Sequence, residues 1–135
     1  MPSGLSRISR ARPVEWPSMR EERVLLHLDE RTRRAIHPAD VYFLEADGSD
    51  TLLRLRASRR LRDVRQLPEM LALFEPHGFL RIHRSHAVTL ARVLEVRLQA
   101  DGRDWEVKLE PPVNRVLPIA RGELSALWRA FGERG

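Results

Sequence analysis

The stretch FLRIHRSHAVTLARV, residues 79–93, interleaves apolar side chains with arginines and histidines. Its apolar members recur at short intervals and can anchor the segment to a core: Phe79, Ile82, Val88, Leu90 and Val93. The cationic side chains between them then stay free, at Arg81, Arg84 and Arg92. A rigid guanidinium fork on an anchored backbone suits phosphate oxygens and the O6/N7 edge of guanine. From these residues alone, a buried strand with solvated arginines explains the pattern equally well.

The composition predicts a single folded domain. The chain has 135 residues and is 42% hydrophobic, which is enough to bury a core and too apolar for a disordered chain. It contains no cysteine, which excludes disulfides and thiolate chemistry and fits a reducing cytoplasm. No apolar run has the length of a membrane span, and the N-terminus lacks the apolar stretch of a signal peptide. We therefore expect a cytoplasmic protein.

The ordered domain is predicted to begin near residue 22. Residues 1–21 hold four arginines among Ser, Gly and Pro and have no apolar period, so we interpret them as a flexible basic arm. Such an arm could lie along phosphates, although an inert tail explains it better. We assign residues 22–132 to the domain and residues 133–135 to a short tail.

Two segments near the start of the domain have the composition of β-strands. Residues 24–28 (VLLHL) can form a first strand, and residues 29–34 read as a charged turn. Residues 41–46 (VYFLEA) form a second apolar run, which ends at the strong turn signal DGSD of residues 47–50. These patterns predict a β-hairpin that continues from Thr51.

The segment from residue 54 to residue 65 is predicted to form a basic strip. Leu53 and Leu55 fall on one face of a strand with arginines on the other, and a second strand over residues 59–64 follows a turn. The segment holds six arginines against one acid, Asp63, in a chain whose net charge is +5. Its candidate phosphate contacts are Arg54, Arg56, Arg59 and Arg60, and each neutralised phosphate steepens the salt dependence of binding. A solvated outer sheet face is the competing account.

The rest of the chain predicts two short helices and a further antiparallel unit. Residues 67–75 carry apolar side chains at i, i+3, i+4 and i+7, and residues 122–131 repeat that spacing. Between them, residues 94–109 alternate on both sides of an Asp-Gly turn, as in a β-hairpin, and residues 116–119 resume the sheet. The fold class is therefore mostly β with two short helices.

No feature of the sequence favours a metal site or an enzyme. His83 and His86 form an H-x-x-H pair, but two ligands do not make a structural zinc site, and residues three apart in a strand point to opposite faces. Glu45 and Asp47 have no neighbouring histidine or nucleophile, and there is no glycine-rich phosphate loop. We predict no catalytic residue, no metal and no cofactor.

Four motifs in order resemble one bacterial family. HPADVYFLEADG (37–48), the leucine-bearing helix, FxRIHRSxxVxLxxV (79–93) and LPIAR (117–121) are similar to the pattern of the LytTR domain, the DNA-binding output module of LytR/AlgR-type regulators. The resemblance covers about residues 23–131. Three residues depart from the family pattern: His86 for an aromatic or aliphatic residue, Thr89 for asparagine, and Ala120 for serine.

The resemblance implies a LytTR-like antiparallel β-sheet domain that reads double-stranded DNA from loops as a bacterial transcriptional regulator. It assigns DNA contact to Arg84, to Arg121 and to the loop of Ser49, Asp50 and Thr51, with His83 and Ser85 as local braces. Asp50 would repel phosphate but can accept a hydrogen bond from cytosine N4. Direct-repeat sites bound by two copies are implied. The chain is expected to lack a receiver domain, so its signal would come from a regulatory protein partner, and it would act at the nucleoid.

A basic β module that binds RNA or ribosomes is the alternative. Such a module needs aromatic side chains exposed on a sheet, where bases can stack on them. Tyr42, Trp105 and Trp128 lie in apolar patterns and are predicted to be buried, which favours the DNA interpretation.

Overall fold

A computed structural model describes residues 22–133, and the predicted basic arm of residues 1–21 lies outside them. The described part of the chain forms ten strands: β1 Val24–His27, β2 Arg33–Ile36, β3 Val41–Asp47, β4 Asp50–Leu55, β5 Arg60–Asp63, β6 Phe79–His83, β7 His86–Thr89, β8 Val93–Leu98, β9 Trp105–Leu109 and β10 Val116–Ile119. The two α-helices are α1 Leu67–Phe74 and α2 Leu124–Ala130. The predicted fold class, mostly antiparallel β with two short helices, is confirmed.

A five-stranded antiparallel sheet in the order β5-β4-β3-β7-β6 lies at the centre and buries side chains on both faces. One face packs against α1 and the β1–β2 hairpin, with Leu44 of β3 in that core. The other face packs against α2 and a three-stranded sheet, β10-β9-β8, with Phe43 in the second core. A strand covered on both faces has a continuous apolar sequence, which explains the run VYFL in β3.

Helix α1 follows its predicted periodicity. Its four apolar side chains, Leu67, Met70, Leu71 and Phe74, are all buried. Pro68 stands in the first turn, where its missing N–H costs nothing. A short 3-10 segment follows, and Gly78 reverses the chain with a φ of 89°. A side chain at this position would be strained in the left-handed region.

The predicted charged turn of residues 29–34 is too long. The turn is tight because Oδ1 of Asp29 accepts the backbone N–H groups of Arg31 and Thr32 at 2.8 Å each, and strand β2 already begins at Arg33. Three of the four β2 residues are exposed, so the strand lacks the apolar alternation that would identify it in the sequence.

The predicted hairpin with its Asp-Gly turn is formed by β8, β9 and the loop between them. The loop spans residues 99–104 and closes with the Gln99 N–H donating to the carbonyl of Asp104 at 2.7 Å. The carboxylate of Asp101 accepts the N–H groups of Arg103 and Asp104, which stabilises the loop. The loop also places Asp104 beside Arg121.

The three aromatic side chains that were predicted to be buried do pack inward. Tyr42 is 1% exposed. Trp105 and Trp128 are partly buried and pack edge to face, with ring centroids 5.1 Å apart. Among residues 22–133, no helix has the length and apolarity needed to cross a bilayer.

Candidate nucleic-acid interface

Two hydrogen bonds between remote backbone segments assemble one edge of the molecule. The N–H of Ala46, near the end of β3, donates to the carbonyl of Ser85 at 2.8 Å. The N–H of Ala120, after β10, donates to the carbonyl of Ile82 in β6 at 2.8 Å. The β6–β7 turn, the β3–β4 turn and the start of the final helical segment therefore lie side by side. We call this the turn edge.

Arg84 stands in the two-residue β6–β7 turn and is exposed. Its backbone is fixed because Arg81 donates from Nη2 to the Arg84 carbonyl at 2.7 Å and from Nε to the His83 carbonyl at 3.2 Å. The Ser85 N–H donates to Nδ1 of His83 at 3.1 Å, which gives His83 and Ser85 the geometry of local braces. Within residues 22–133, no carboxylate lies within ion-pair distance of the Arg84 guanidinium.

Arg121 begins the 3-10 segment that leads into α2, and its side chain is 69% exposed. Both Nε and Nη2 lie 3.3 Å from Oδ1 of Asp104, in the β8–β9 loop. An ion pair at such exposure contributes only about 0–1 kcal/mol to stability. The Arg121 guanidinium can therefore exchange this partner for another anion at little cost.

The three predicted residues of the β3–β4 loop have different environments. Ser49 lies exposed at the tip, after Gly48 with a φ of 63°. Asp50 is held by Arg62, whose Nη1 lies 3.1 Å from its Oδ2. Thr51 is fully buried, and its hydroxyl donates to the carbonyl of Arg65 at 2.9 Å. Thr51 has no exposed surface to contact DNA; it fixes the start of β4.

The predicted strip of six arginines is divided by the structure. Arg54 and Arg60 face each other across β4 and β5. Arg62 lies between Asp47 and Asp50, at 2.6 and 3.1 Å, and Arg65 pairs with Asp63 at 2.9 Å. The remaining two, Arg56 and Arg59, flank the β4–β5 turn. The strip therefore carries less free charge than its sequence suggests.

The pair of Asp63 with Arg65 shows why the positive charge of Arg65 is not free to bind an anion. The Asp63 side chain is fully buried and accepts the His27 N–H at 2.7 Å and three donors of Arg65 at 2.9–3.0 Å. Burial alone would raise the pKa of Asp63, but the hydrogen bonds from Arg65 and the backbone outweigh burial and lower it. Arg65 thus stabilises the junction of β1 and β5.

The prediction that His83 and His86 point to opposite faces is wrong. The two residues are directly paired across the β6–β7 turn, and their ring centroids lie 5.7 Å apart. The rule of alternating faces applies within a strand, whereas a turn reverses the chain between these two histidines. Among the described residues, no three potential metal ligands come together.

His86 belongs to a half-buried charged cluster next to the turn edge. Its Nε2 lies 3.1 Å from Oε2 of Glu45, and its Nδ1 is buried without a partner in the described chain. Burial lowers the pKa of His86, and the partly compensating carboxylate of Glu45 does not reverse the shift. Arg115 completes the cluster, 3.9 Å from Glu45 and 5.2 Å from the Phe43 ring centroid.

Sequence reasoning missed two residues at this edge. Arg115 stands in the irregular segment before β10, where no periodicity marks its direction. Arg81 was recognised only as a free cation, yet it braces the backbone of the Arg84 turn. The basic stretch of residues 79–93 was the one available signal for Arg81.

Comparisons with known proteins identify the family and the fold. The family described as LytTr DNA-binding domain matches residues 31–132. A similar solved structure is the LytTr DNA-binding domain of a Bacillus cereus protein described as a methyl-accepting/DNA response regulator. It shares 17% identity and a TM-score of 0.66, over 83% of this chain and 98% of that one, and so shows the same fold. No curated protein matches the chain significantly.

Proposed function

This chain belongs to the LytTR DNA-binding domain family, and we propose that it reads the base sequence of double-stranded DNA through Arg84 and Arg121 as a bacterial transcriptional regulator. The observation that carries the proposal is the hydrogen bond between Ala120 and Ile82. It supports a single reading surface, because it joins the segments that bear the two arginines.

The two arginines suit base recognition for different reasons. Arg84 extends from a braced turn, which fixes the point from which its side chain leaves the backbone, and its planar guanidinium fork matches the O6/N7 edge of guanine. Arg121 is oriented by Asp104 in free protein, and a DNA acceptor would replace that carboxylate. A fork on guanine provides about 1–3 kcal/mol of discrimination, which a phosphate contact does not provide directly.

Other polar and cationic side chains of the domain would hold it on the phosphate backbone of DNA. Ser49 is exposed at the tip of the adjacent loop and offers a hydroxyl. Arg54 and Arg60, which pair with each other toward the other end of β4 and β5, offer cations, and Arg115 offers another near Glu45. Asp50, held by Arg62, would shape the loop or accept from cytosine N4.

We further propose that two copies bind direct-repeat sites and that the domain acts at nucleoid DNA in the cytoplasm. A regulatory protein partner would supply its signal. The alternative of RNA binding by base stacking has less support, because Tyr42 is buried and Trp105 packs edge to face on Trp128.

Selection of bound fragments from a random duplex pool, by the full chain, tests this function directly. We expect a recurrent motif containing guanine, and an Arg84→Ala chain should lose the preference at one position of that motif. Recovery of fragments without a common motif would contradict sequence reading. A chain that prefers single-stranded RNA over any duplex would contradict DNA binding itself.

A further inference from the structure

We propose that the end of the central sheet opposite the turn edge holds the phosphate group of a small phosphorylated ligand, between Arg56, Arg59 and Arg92. Strand β3 connects the two ends, because Asp47 pairs with Asp50 at the turn edge and Val41 pairs with Leu55 at the far end. Its seven residues separate these ends by roughly 20 Å. The site therefore lies apart from the proposed reading surface.

The β4–β5 turn holds two of the arginines next to each other. The Arg59 N–H donates to the Arg56 carbonyl at 3.1 Å, and the Leu55 N–H donates to the Arg59 carbonyl at 2.8 Å. The two central residues, Ala57 and Ser58, have φ angles of 55° and 67°, although neither is glycine. Turns of this kind normally carry glycine or asparagine, so the hairpin retains a conformation that its side chains disfavour.

Arg92 lies in the segment between β7 and β8, lines the same cleft and is held in position. Its guanidinium lies 4.9 Å from the ring centroid of Tyr42, as in a cation–π contact. Nη2 also donates to the carbonyl of Ala39 at 3.2 Å, and Nη1 lies 3.7 Å from a carboxylate oxygen of Glu110. A fixed guanidinium loses little conformational freedom when it binds an anion.

These arginines line a cleft of about 170 Å³, together with Asp40, Tyr42 and Leu55. Asp40 is the one carboxylate in this lining, so the cleft has an excess of positive charge. Among the described residues, no carboxylate forms an ion pair with Arg56 or Arg59. The hydroxyl of Tyr42 is buried without a partner, and a bound anion or water would satisfy it.

The size and shape of the cleft favour a phosphate group. Sites for whole drug-sized molecules measure about 300–1,000 Å³, so this cleft would enclose one group and leave the rest of the ligand outside. A tetrahedral phosphate presents three oxygens to the three arginines that line the cleft, whereas a planar carboxylate presents two. A compact phosphomonoester therefore fits better than an acidic side chain of a protein partner.

The test is a titration of the full chain, labelled with ¹⁵N, with inorganic phosphate and separately with adenosine monophosphate. Chloride keeps the ionic strength constant, so that screening does not change. We expect saturable shifts of the amide signals of residues 56–59 with both probes. Arg59→Gln should weaken phosphate binding by ~10-fold or more, because a charge-assisted hydrogen bond is lost. The spectrum of each variant also reports whether it is folded.

Two control variants test whether the loss of phosphate binding is specific to the cleft. Arg34→Gln removes an exposed arginine from β2, and Arg129→Gln removes one from α2; both should leave phosphate binding unchanged. Equal binding by the Arg59→Gln chain, or shifts that never saturate, would overturn the proposal. If a hexaglutamate peptide shifts the signals of residues 56–59 and binds more tightly than phosphate, the cleft is a docking site for an acidic protein segment and the phosphate proposal is wrong. Displacement of phosphate by duplex DNA would make the cleft part of the DNA interface.

Discussion

The backbone N–H of Ala120 donates to the carbonyl oxygen of Ile82 at 2.8 Å. Arg121 follows the donor directly, and Arg84 lies two residues beyond the acceptor. One hydrogen bond thus joins the two segments that carry the proposed reading arginines, although they are far apart in sequence. Neither arginine needs a contact with the other for their spacing to be set, because both are attached to the same backbone junction.

Substitution of either arginine should separate base reading from phosphate contact. Arg84→Ala or Arg121→Ala is expected to cost about 1–3 kcal/mol on the selected site and little on random duplex. Lysine at either position should restore only part of the loss, because it keeps the charge without the planar fork. Equilibrium affinities at one fixed salt concentration provide the measurement. Equal loss on both duplexes would make the two residues positioning contacts.

In the proposed complex Asp104 would compete with DNA for Arg121, so its removal should strengthen binding. The exposed pair contributes about 0–1 kcal/mol, and we expect Asp104→Asn to raise duplex affinity by up to ~5-fold with little change in melting temperature. Glu95→Gln is the matched control, since it removes one exposed negative charge that pairs with Arg97. A weaker Asp104→Asn complex would mean that Asp104 orients Arg121 for DNA.

The salt dependence of duplex binding should be moderate. Arg62 and Arg65 are committed to aspartates, which leaves Arg115 near the turn edge and Arg54 and Arg60 farther along the central sheet as cations for phosphate contact. With about four or five phosphates neutralised, affinity should fall by ~10²–10³ between about 50 and 200 mM salt. An affinity that stays constant over this range would contradict an interface with the DNA backbone. A much steeper fall would indicate additional phosphate contacts.

Asp63 should be a large contributor to stability. It is buried and accepts the His27 N–H and three donors of Arg65, so Asp63→Asn is expected to lower the free energy of unfolding by about 2–3 kcal/mol. Because its pKa is lowered in the folded state, its stabilising effect is present above the unfolded pKa and is lost as pH falls through the folded pKa. Urea unfolding at pH 7 and pH 3 would measure both effects. Asp50→Asn, at an exposed pair, should cost far less.

His86 should make the fold sensitive to mild acid. Its pKa is lowered by burial, so the unfolded chain takes up the proton first, and stability should decline as pH falls below the model-peptide value of 6.5. The charged and titratable groups that face it are Glu45, His83 and Arg115. His86→Phe should flatten the melting temperature between about pH 7.5 and 5.5. An unchanged pH dependence of the His86→Phe chain would contradict this assignment.

Local patterns in the sequence were sufficient to predict the main helices and strands. The spacing of Leu67, Met70, Leu71 and Phe74 predicts α1 because those four side chains are neighbours on any helix, whatever surrounds it. The stretch FLRIHRSHAVTLARV likewise predicts an anchored basic segment. Strand β2 was not predicted because three of its four residues are exposed. Such a strand is held by backbone hydrogen bonds, which do not require any particular side chains.

The use of several charges depended on neighbours that are remote in sequence. Arg62 has the same chemistry as Arg60, yet it is neutralised by Asp47 and Asp50, which folding brings within 3.1 Å. His83 and His86 meet because a turn reverses the chain between them. The turn edge itself exists through hydrogen bonds that join β3, β6 and the segment after β10. Periodicity along a chain encodes which face of an element is apolar, whereas the pairing of charges is set by contacts between elements, and those form only when the sheet assembles.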